Sequence, residues 1–163
     1  MPACGHDAHA AMLVTIGRIL NETKEQFSGK VYLCFQVAEE TGNPAGAIEL
    51  PSGEVVTGKT TDLMGASSAT LLNALKRLAG IDHQHHLISR EAIEPIQAVK
   101  VNHLGSVNPR LHSDETLIAL AISATTNPLA KRALDQLSAL RGCEAHSTVI
   151  LSPVDSSTYS RLG

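Results

Sequence analysis

The sequence is 163 residues long with a mass of 17.2 kDa, and 13 Lys and Arg against 16 Asp and Glu leave a net charge of −3 at pH 7. A basic nucleic-acid-binding surface is therefore not indicated, and an aromatic content of 2% without tryptophan excludes base stacking as a main function. No apolar run approaches the length needed to cross a bilayer, and no charged-then-apolar leader opens the chain. The cysteines, Cys4, Cys34 and Cys143, are too scattered for a disulfide framework. We therefore expect a cytoplasmic protein that binds neither nucleic acid nor membranes.

The first half of the chain carries the periodicities of helices and strands in turn. Apolar residues at steps of three and four predict a helix over 7–27, and apolar residues on both faces predict an interior strand over 30–37. Apolar runs at 47–50 and 54–57 flank a Pro-Ser-Gly turn, which predicts a hairpin. A stripe of leucines predicts a helix at Ala66–Leu78.

The second half continues the alternation. The pattern predicts a short strand at 86–89 and then three helices, at 90–104, from Ser113 or Asp114 onward, and at 128–140. A final strand is predicted at 147–151. Strands that alternate with helices indicate an α/β fold, and we expect a mixed or mostly parallel sheet with flanking helices.

Two short motifs near the amino terminus point to a known chemistry. A Cys-Gly-His-Asp run that begins at Cys4, and a Phe-Gln-Val-Ala-Glu-Glu run that ends at Glu40, resemble the metal-dependent amidohydrolases of the aminoacylase and carboxypeptidase type, in the branch of hippurate and auxin-conjugate hydrolases. The resemblance implies Cys4 and His6 as ligands of a divalent zinc or manganese ion, Glu39 as general base and Glu40 as bridging ligand.

This resemblance predicts metal-assisted hydrolysis of an amide bond in a small-molecule substrate of the N-acyl amino acid type. Thiolate, imidazole and carboxylate groups suit a borderline divalent metal. Water bound to the ion would attack the carbonyl while Glu39 carries the proton. The family's downstream metal-binding histidines have no counterpart here, so the site is expected to be incomplete.

The rest of the chain, residues 42–163, resembles another family, the uncharacterised bacterial domain-of-unknown-function family numbered eighteen-forty-six. The similarity rests on six segments, at 49–53, 56–65, 73–76, 79–82, 108–115 and 140–147. It implies the C-terminal part of longer proteins, with no established activity. We therefore predict two parts, an amidohydrolase-like fragment at 1–41 and an α/β region at 42–163, joined near 40–44.

A phosphate-loop pattern lies within the second part. The segment from Gly53 to Thr60 satisfies G-x-x-x-x-G-K-T, so Gly58, Lys59 and Thr60 are candidate phosphate contacts. The alternative is a strand that ends in Gly-Lys-Thr, because the two β-branched valines before Gly58 favour extended backbone.

Two polar loops form a second candidate pocket. If the sheet brings both loops to one edge, their titratable groups would meet at Arg110, His112, Asp114, Cys143, Glu144 and His146. Arg110 would fix an anion, His146 would act as acid or base, and Cys143 would act as nucleophile. The alternative is helix capping and surface charge. The competing function is therefore a non-hydrolytic fragment that binds a small anion or a nucleotide. Separately, an open edge on the strand predicted over 30–37 would favour homo-oligomers.

Overall fold

A computed structural model describes residues 6–26, 28, 31 and 43–163 of the chain. The chain divides into two compact units, Met1–Glu39 and Glu40–Gly163. Helix α1 (His6–Glu22) and a short 3-10 helix (Lys24–Gln26) belong to the first unit and confirm the predicted amino-terminal helix. The predicted strand over 30–37 lies outside the described residues, apart from Val31.

A small antiparallel sheet forms one layer of the second unit. Strands β1 (Ala45–Glu49) and β2 (Val55–Lys59) form the predicted hairpin. The amide of Gly53 closes the turn by donating to the carbonyl of Leu50 at 2.8 Å. Gly53 has a φ of 81°, a backbone conformation that favours glycine. Strand β3 (Glu144–Ser147) pairs with the other edge of β1, so the order is β2-β1-β3.

The expectation of a mixed or mostly parallel sheet is wrong for the described sheet, although the α/β class is correct. All three strands of the described sheet are antiparallel, because a tight turn reverses the chain between β1 and β2 and because β3 runs back along β1. The final strand is predicted too far along the chain, at 147–151, whereas β3 ends at Ser147. Its apolar residues Val149 and Ile150 are exposed beyond the end of β3, so their hydrophobicity does not mark a strand.

The predicted strand at 86–89 is wrong as well. Leu87 and Ile88 are buried, but their backbone is irregular and leads into a helix whose N-cap is Ser89. A short buried apolar run has no periodicity that separates a strand from a buried loop.

Five α-helices lie in the described part of the second unit. The helices at Ala66–Leu78 and from residues 90 and 113 onward confirm the predictions. The helix predicted at 128–140 ends early and is followed by a 3-10 turn. The last helix has no counterpart among the predictions. The five helices are α2 (Ala66–Leu78), α3 (Arg90–Asn102), α4 (Ser113–Ser123), α5 (Pro128–Leu134) and α6 (Pro153–Leu162). Within the described ranges, none of the helices combines the length and apolarity needed to span a membrane.

Helix α2 packs directly on the hairpin, and two paired glycines make this approach possible. Gly46 of β1 lies opposite Gly58 of β2. A methyl group on Gly58 would lie 2.3 Å from the backbone nitrogen of Thr70, and one on Gly46 would lie 2.7 Å from its Oγ1. The helix therefore sits closer to the sheet than any larger residue would permit. Leu71 and Leu75 of α2 fill the core beneath it.

Candidate functional site

The candidate site lies where two chain segments run side by side into the amino termini of α2 and α4. Met64 and Leu111 form an isolated parallel bridge, in which the amide of Leu111 donates to Leu63 at 3.0 Å and the amide of Gly65 donates to Leu111 at 3.1 Å. The hydroxyl of Ser68 also donates to the carbonyl of Leu111 at 2.9 Å. These bonds fix the backbone on which the polar residues of the site are mounted.

Asp155, in the first turn of α6, connects that helix to the start of α4. Its Oδ1 accepts from the amide of Ser113 at 2.9 Å and from the hydroxyl at 2.7 Å, and its Oδ2 accepts from the hydroxyl of Ser152 at 2.7 Å. Asp155 is 8% exposed. Burial opposes its ionisation, but the hydrogen bonds from Ser152, Ser113 and His112 outweigh burial and lower the pKa of Asp155 below its ordinary value. The carboxylate is therefore ionised at neutral pH.

His112, the N-cap residue of α4, is oriented by this carboxylate. Its Nδ1 lies 3.2 Å from Oδ2 of Asp155 and 3.4 Å from the hydroxyl of Ser152, and its side chain is 28% exposed. Contact with an ionised carboxylate favours a proton on Nδ1, and Nε2 is left for an external group. The serine meets the same ring nitrogen as the aspartate, so these three residues do not form a nucleophile–histidine–acid relay.

Lys100 and Glu115 hold the same backbone from the other side. The Nζ of Lys100, which is 5% exposed, lies 2.6 Å from Oε2 of Glu115 and donates to the carbonyl of Arg110 at 2.7 Å. The same carboxylate oxygen accepts from the amide of His112 at 2.8 Å. The charges of Lys100 and Glu115 therefore neutralise each other.

Arg110 is anchored through one of its three guanidinium nitrogens. Its Nε donates to the carbonyl of Thr61 at 2.8 Å, and its amide donates to Oδ1 of Asn108 at 3.1 Å. Within the described part of the chain, its Nη atoms make no hydrogen bond or ion pair. The four N–H donors on the two Nη atoms of this planar guanidinium are therefore left for a ligand.

The six predicted pocket residues divide into two groups. Arg110 and His112 flank the start of α4, where Asp114 is exposed and accepts from the amide of Glu115 at 2.8 Å. The others lie at β3, where Glu144 and His146 are exposed and 3.9 Å apart.

Cys143 precedes β3 and is half-buried. It lines a small apolar cavity with Ile48, Leu71 and Tyr159, and its Sγ lies 3.8 Å from the carbonyl oxygen of Ala139. Burial, and secondarily the charge of Glu49, raise the pKa of the Cys143 thiol. A protonated thiol is a poor nucleophile.

The phosphate-loop pattern falls on a strand. Gly58 and Lys59 are the last two residues of β2, and the amide of Thr60 donates to the carbonyl of Pro44 at 2.9 Å. The contact with Thr70 already accounts for the glycine at position 58. The described backbone is therefore the extended one that the sequence offers as the alternative to an open loop.

The predicted metal site is not tested by the structure. Cys4, Glu39 and Glu40 lie outside the described residues, and for His6 only its place at the start of α1 is described. Among residues whose placement is described, no three His, Cys, Asp or Glu side chains are grouped so that they could hold a metal ion. Zinc or manganese at Cys4 and His6 stays a prediction.

Sequence reasoning missed Asp155, Ser152 and Lys100. A signal for the first two is present, because Ser152-Pro153-Val154-Asp155 has the Ser-x-x-acid pattern of a helix start. That pattern predicts the cap of α6, in which the amide of Asp155 donates to the hydroxyl of Ser152 at 3.1 Å. It does not predict the bonds to Ser113.

Comparisons with known proteins identify relatives of most of the chain. Residues 29–163 match the family model described as domain of unknown function DUF1846, C-terminal. The chain is 59% identical over 128 residues to UPF0371 protein DIP2346 of Corynebacterium diphtheriae, and 58% identical over 127 residues to a UPF0371 protein of Corynebacterium glutamicum. A UPF0371 protein of Streptococcus pneumoniae is 56% identical over 128 residues. The match covers 78% of this chain and 26% of each relative.

These findings correct the functional prediction. The family model and the relatives name an uncharacterised family, and nothing in them supports an amidohydrolase. The prediction of metal-assisted amide hydrolysis is therefore wrong, and the competing interpretation, a fragment of the uncharacterised family, fits better. The family match also begins at residue 29, before the predicted junction.

Proposed function

Because the chain belongs to the family of the DUF1846 C-terminal domain, we propose that it contains a non-hydrolytic binding module. In this proposal, Arg110 and His112 hold a small oxyanion, either phosphate or a carboxylate. One observation carries it: each side chain is anchored through one nitrogen, with Arg110 Nε bonded to Thr61 at 2.8 Å and His112 Nδ1 at 3.2 Å from Asp155. The remaining nitrogens are left for a ligand.

The backbone between the two residues favours a shared ligand. Leu111 is 1% exposed and belongs to the core. Side chains two residues apart in extended backbone leave on the same side, opposite to the residue between them. Arg110 and His112 are thus expected to leave the core on one side, where one anion can bridge them.

The charges of the surrounding groups favour an anion over a cation. Lys100 is neutralised by Glu115, and Asp155 accepts four donors. Arg110 has no carboxylate partner among the residues that the structure describes. A guanidinium with four spare N–H donors on its two Nη atoms suits the paired oxygens of phosphate or carboxylate, and Nε2 of His112 offers a further contact. The low aromatic content favours an ion smaller than a nucleotide.

A phosphate titration of the whole chain tests this proposal. Inorganic phosphate, followed by amide shifts in a ¹⁵N-labelled sample, is expected to move the resonances of residues 108–115, and Arg110→Gln is expected to raise the phosphate Kd by about tenfold or more. Arg132→Gln is the control, because Arg132 is exposed and, like Arg110, donates from its guanidinium to a backbone carbonyl, that of Ala79 at 2.6 Å. Equal weakening by both variants, or no binding of either phosphate or acetate to the unmodified chain, would overturn the proposal.

A second variant separates binding from folding. Arg110→Lys keeps the positive charge but removes the planar fork, so it is expected to bind phosphate more weakly than the parent chain while its urea midpoint stays unchanged. Undiminished phosphate affinity in this variant and in Arg110→Gln would contradict a role for the guanidinium.

A further inference from the structure

Helix α4 carries an apolar face that the described residues of the second unit leave largely exposed. Its inner side is formed by Thr116, Ala119 and Leu120, which are buried. On its outer side, Ile118 and Ile122 lie one turn apart and are each 61% exposed. The solvated side of a surface helix is ordinarily polar or charged, whereas a helix that is apolar all round is ordinarily buried.

The composition around this face makes the observation stronger. No charged residue occurs from Thr116 to Pro128, a stretch that contains the last two turns of α4 and its connection to α5. By contrast, α5 carries Lys131 and Arg132 on its exposed side. The uncharged outer surface of α4, defined by Ile118 and Ile122, is here called the α4 face.

The relatives indicate which polypeptide would cover it. The match spans only 26% of the Corynebacterium diphtheriae protein, and the matching family model is that of a C-terminal domain. Most of the relative's length therefore lies outside the match, and a C-terminal domain is preceded by other polypeptide. We infer that the α4 face is a docking surface for the preceding part of the full-length family protein, which presents a complementary apolar surface to it. This inference is independent of the proposed anion site.

Cysteine accessibility tests the docking surface in an intact protein. The full-length Corynebacterium diphtheriae relative would carry Ser113–Ser123 of this chain in place of its own segment, with Ile118→Cys introduced. Alkylation of that cysteine, measured by peptide mass spectrometry, is expected to be about tenfold slower or more than in the present chain with the same substitution. Lys131→Cys, on the charged side of α5, is the matched control and is expected to react at similar rates in both proteins.

Two results would overturn the inference. Equal alkylation rates at position 118 in the intact relative and in the present chain would show that the preceding polypeptide leaves the α4 face open. Protection in the present chain that increases with its own concentration would assign the face to a second copy instead. Hydrogen exchange of the unmodified relative, which needs no substitution, is expected to be slower in its α4 segment than in the present chain, and equal exchange would contradict the proposal.

Discussion

Removal of the Asp155 carboxylate is expected to destabilise the second unit strongly. In Asp155→Ala, the amide and hydroxyl of Ser113, a residue with 0% exposure, lose their acceptor, and Ser152 loses another bond. An unsatisfied buried donor costs about 1–3 kcal/mol, and a hydroxyl can partly reorient, so we expect a loss of about 3 kcal/mol in the free energy of unfolding. Urea unfolding followed by far-ultraviolet circular dichroism at pH 7 measures it.

A matched control separates this effect from the loss of any carboxylate. Asp135→Ala removes an exposed aspartate that pairs with Lys131 on the surface of α5, so a change below about 0.5 kcal/mol is expected. Asp155→Asn keeps an acceptor oxygen for Ser113, so its loss in the free energy of unfolding is expected to lie between those of Asp155→Ala and Asp135→Ala. A loss below about 1 kcal/mol for Asp155→Ala would refute the reasoning.

The same carboxylate gives the stability a defined pH dependence. The pKa of Asp155 is lowered from its ordinary value of 3.8 in the folded chain, so the unfolded chain binds the proton more tightly. The stability that Asp155 contributes is therefore fully present above pH 3.8. It is lost as the pH falls through the lower pKa that Asp155 has in the folded chain. The difference in unfolding free energy between the parent chain and Asp155→Asn should shrink over that acidic range, and a difference that grows on acidification would contradict this sign.

Three further predictions concern packing, charge and thiol chemistry. Gly58→Ala places a methyl group 2.3 Å from the α2 backbone and is expected to lower the free energy of unfolding in urea by about 3 kcal/mol. Gly65→Ala, whose methyl group would lie 3.8 Å from the carbonyl oxygen of Leu111, should lower it by less than about 0.5 kcal/mol. Lys100→Met leaves the carboxylate of Glu115 without its cation and should lower the free energy of unfolding by about 2–3 kcal/mol. Lys131→Met, which removes an exposed lysine, should have little effect. Equal effects of the two variants would contradict the role of Lys100 in neutralising Glu115. Iodoacetamide should modify Cys143 about tenfold more slowly in the folded chain than in urea, as read from its peptide, because burial raises its pKa; equal rates would contradict this.

Local signals predicted the parts of the fold that depend on local chemistry. The Pro-Ser-Gly turn predicted the β1–β2 hairpin, and the leucine stripe predicted α2 with its bounds. The direction of the sheet was not predictable in this way, because β3 pairs with β1 from about one hundred residues away, a separation at which sequence pattern carries no pairing information.

The candidate site shows the same division between local and distant contacts. Arg110 and His112 stand out in the sequence as polar residues before a helix. The group that orients His112 is Asp155, which is 43 residues away along the chain, and the buried Lys100 reads in sequence as an ordinary solvated helix residue. Neither the partner of the imidazole nor the neutralisation of Glu115 follows from local composition, since both depend on how α3, α4 and α6 pack.

The most direct test of the proposed anion site is the response of the two ring nitrogens of His112 to phosphate. The chain has eight histidines, and their ring nitrogens can be followed individually by ¹⁵N correlation spectra. Because Asp155 occupies Nδ1, a bound anion is expected to contact the ring through Nε2. We predict that phosphate moves the Nε2 resonance of His112 more than its Nδ1 resonance, because Nδ1 stays in contact with Asp155. Phosphate binding that leaves His112 unchanged, or that shifts the exposed His83 instead, would contradict it.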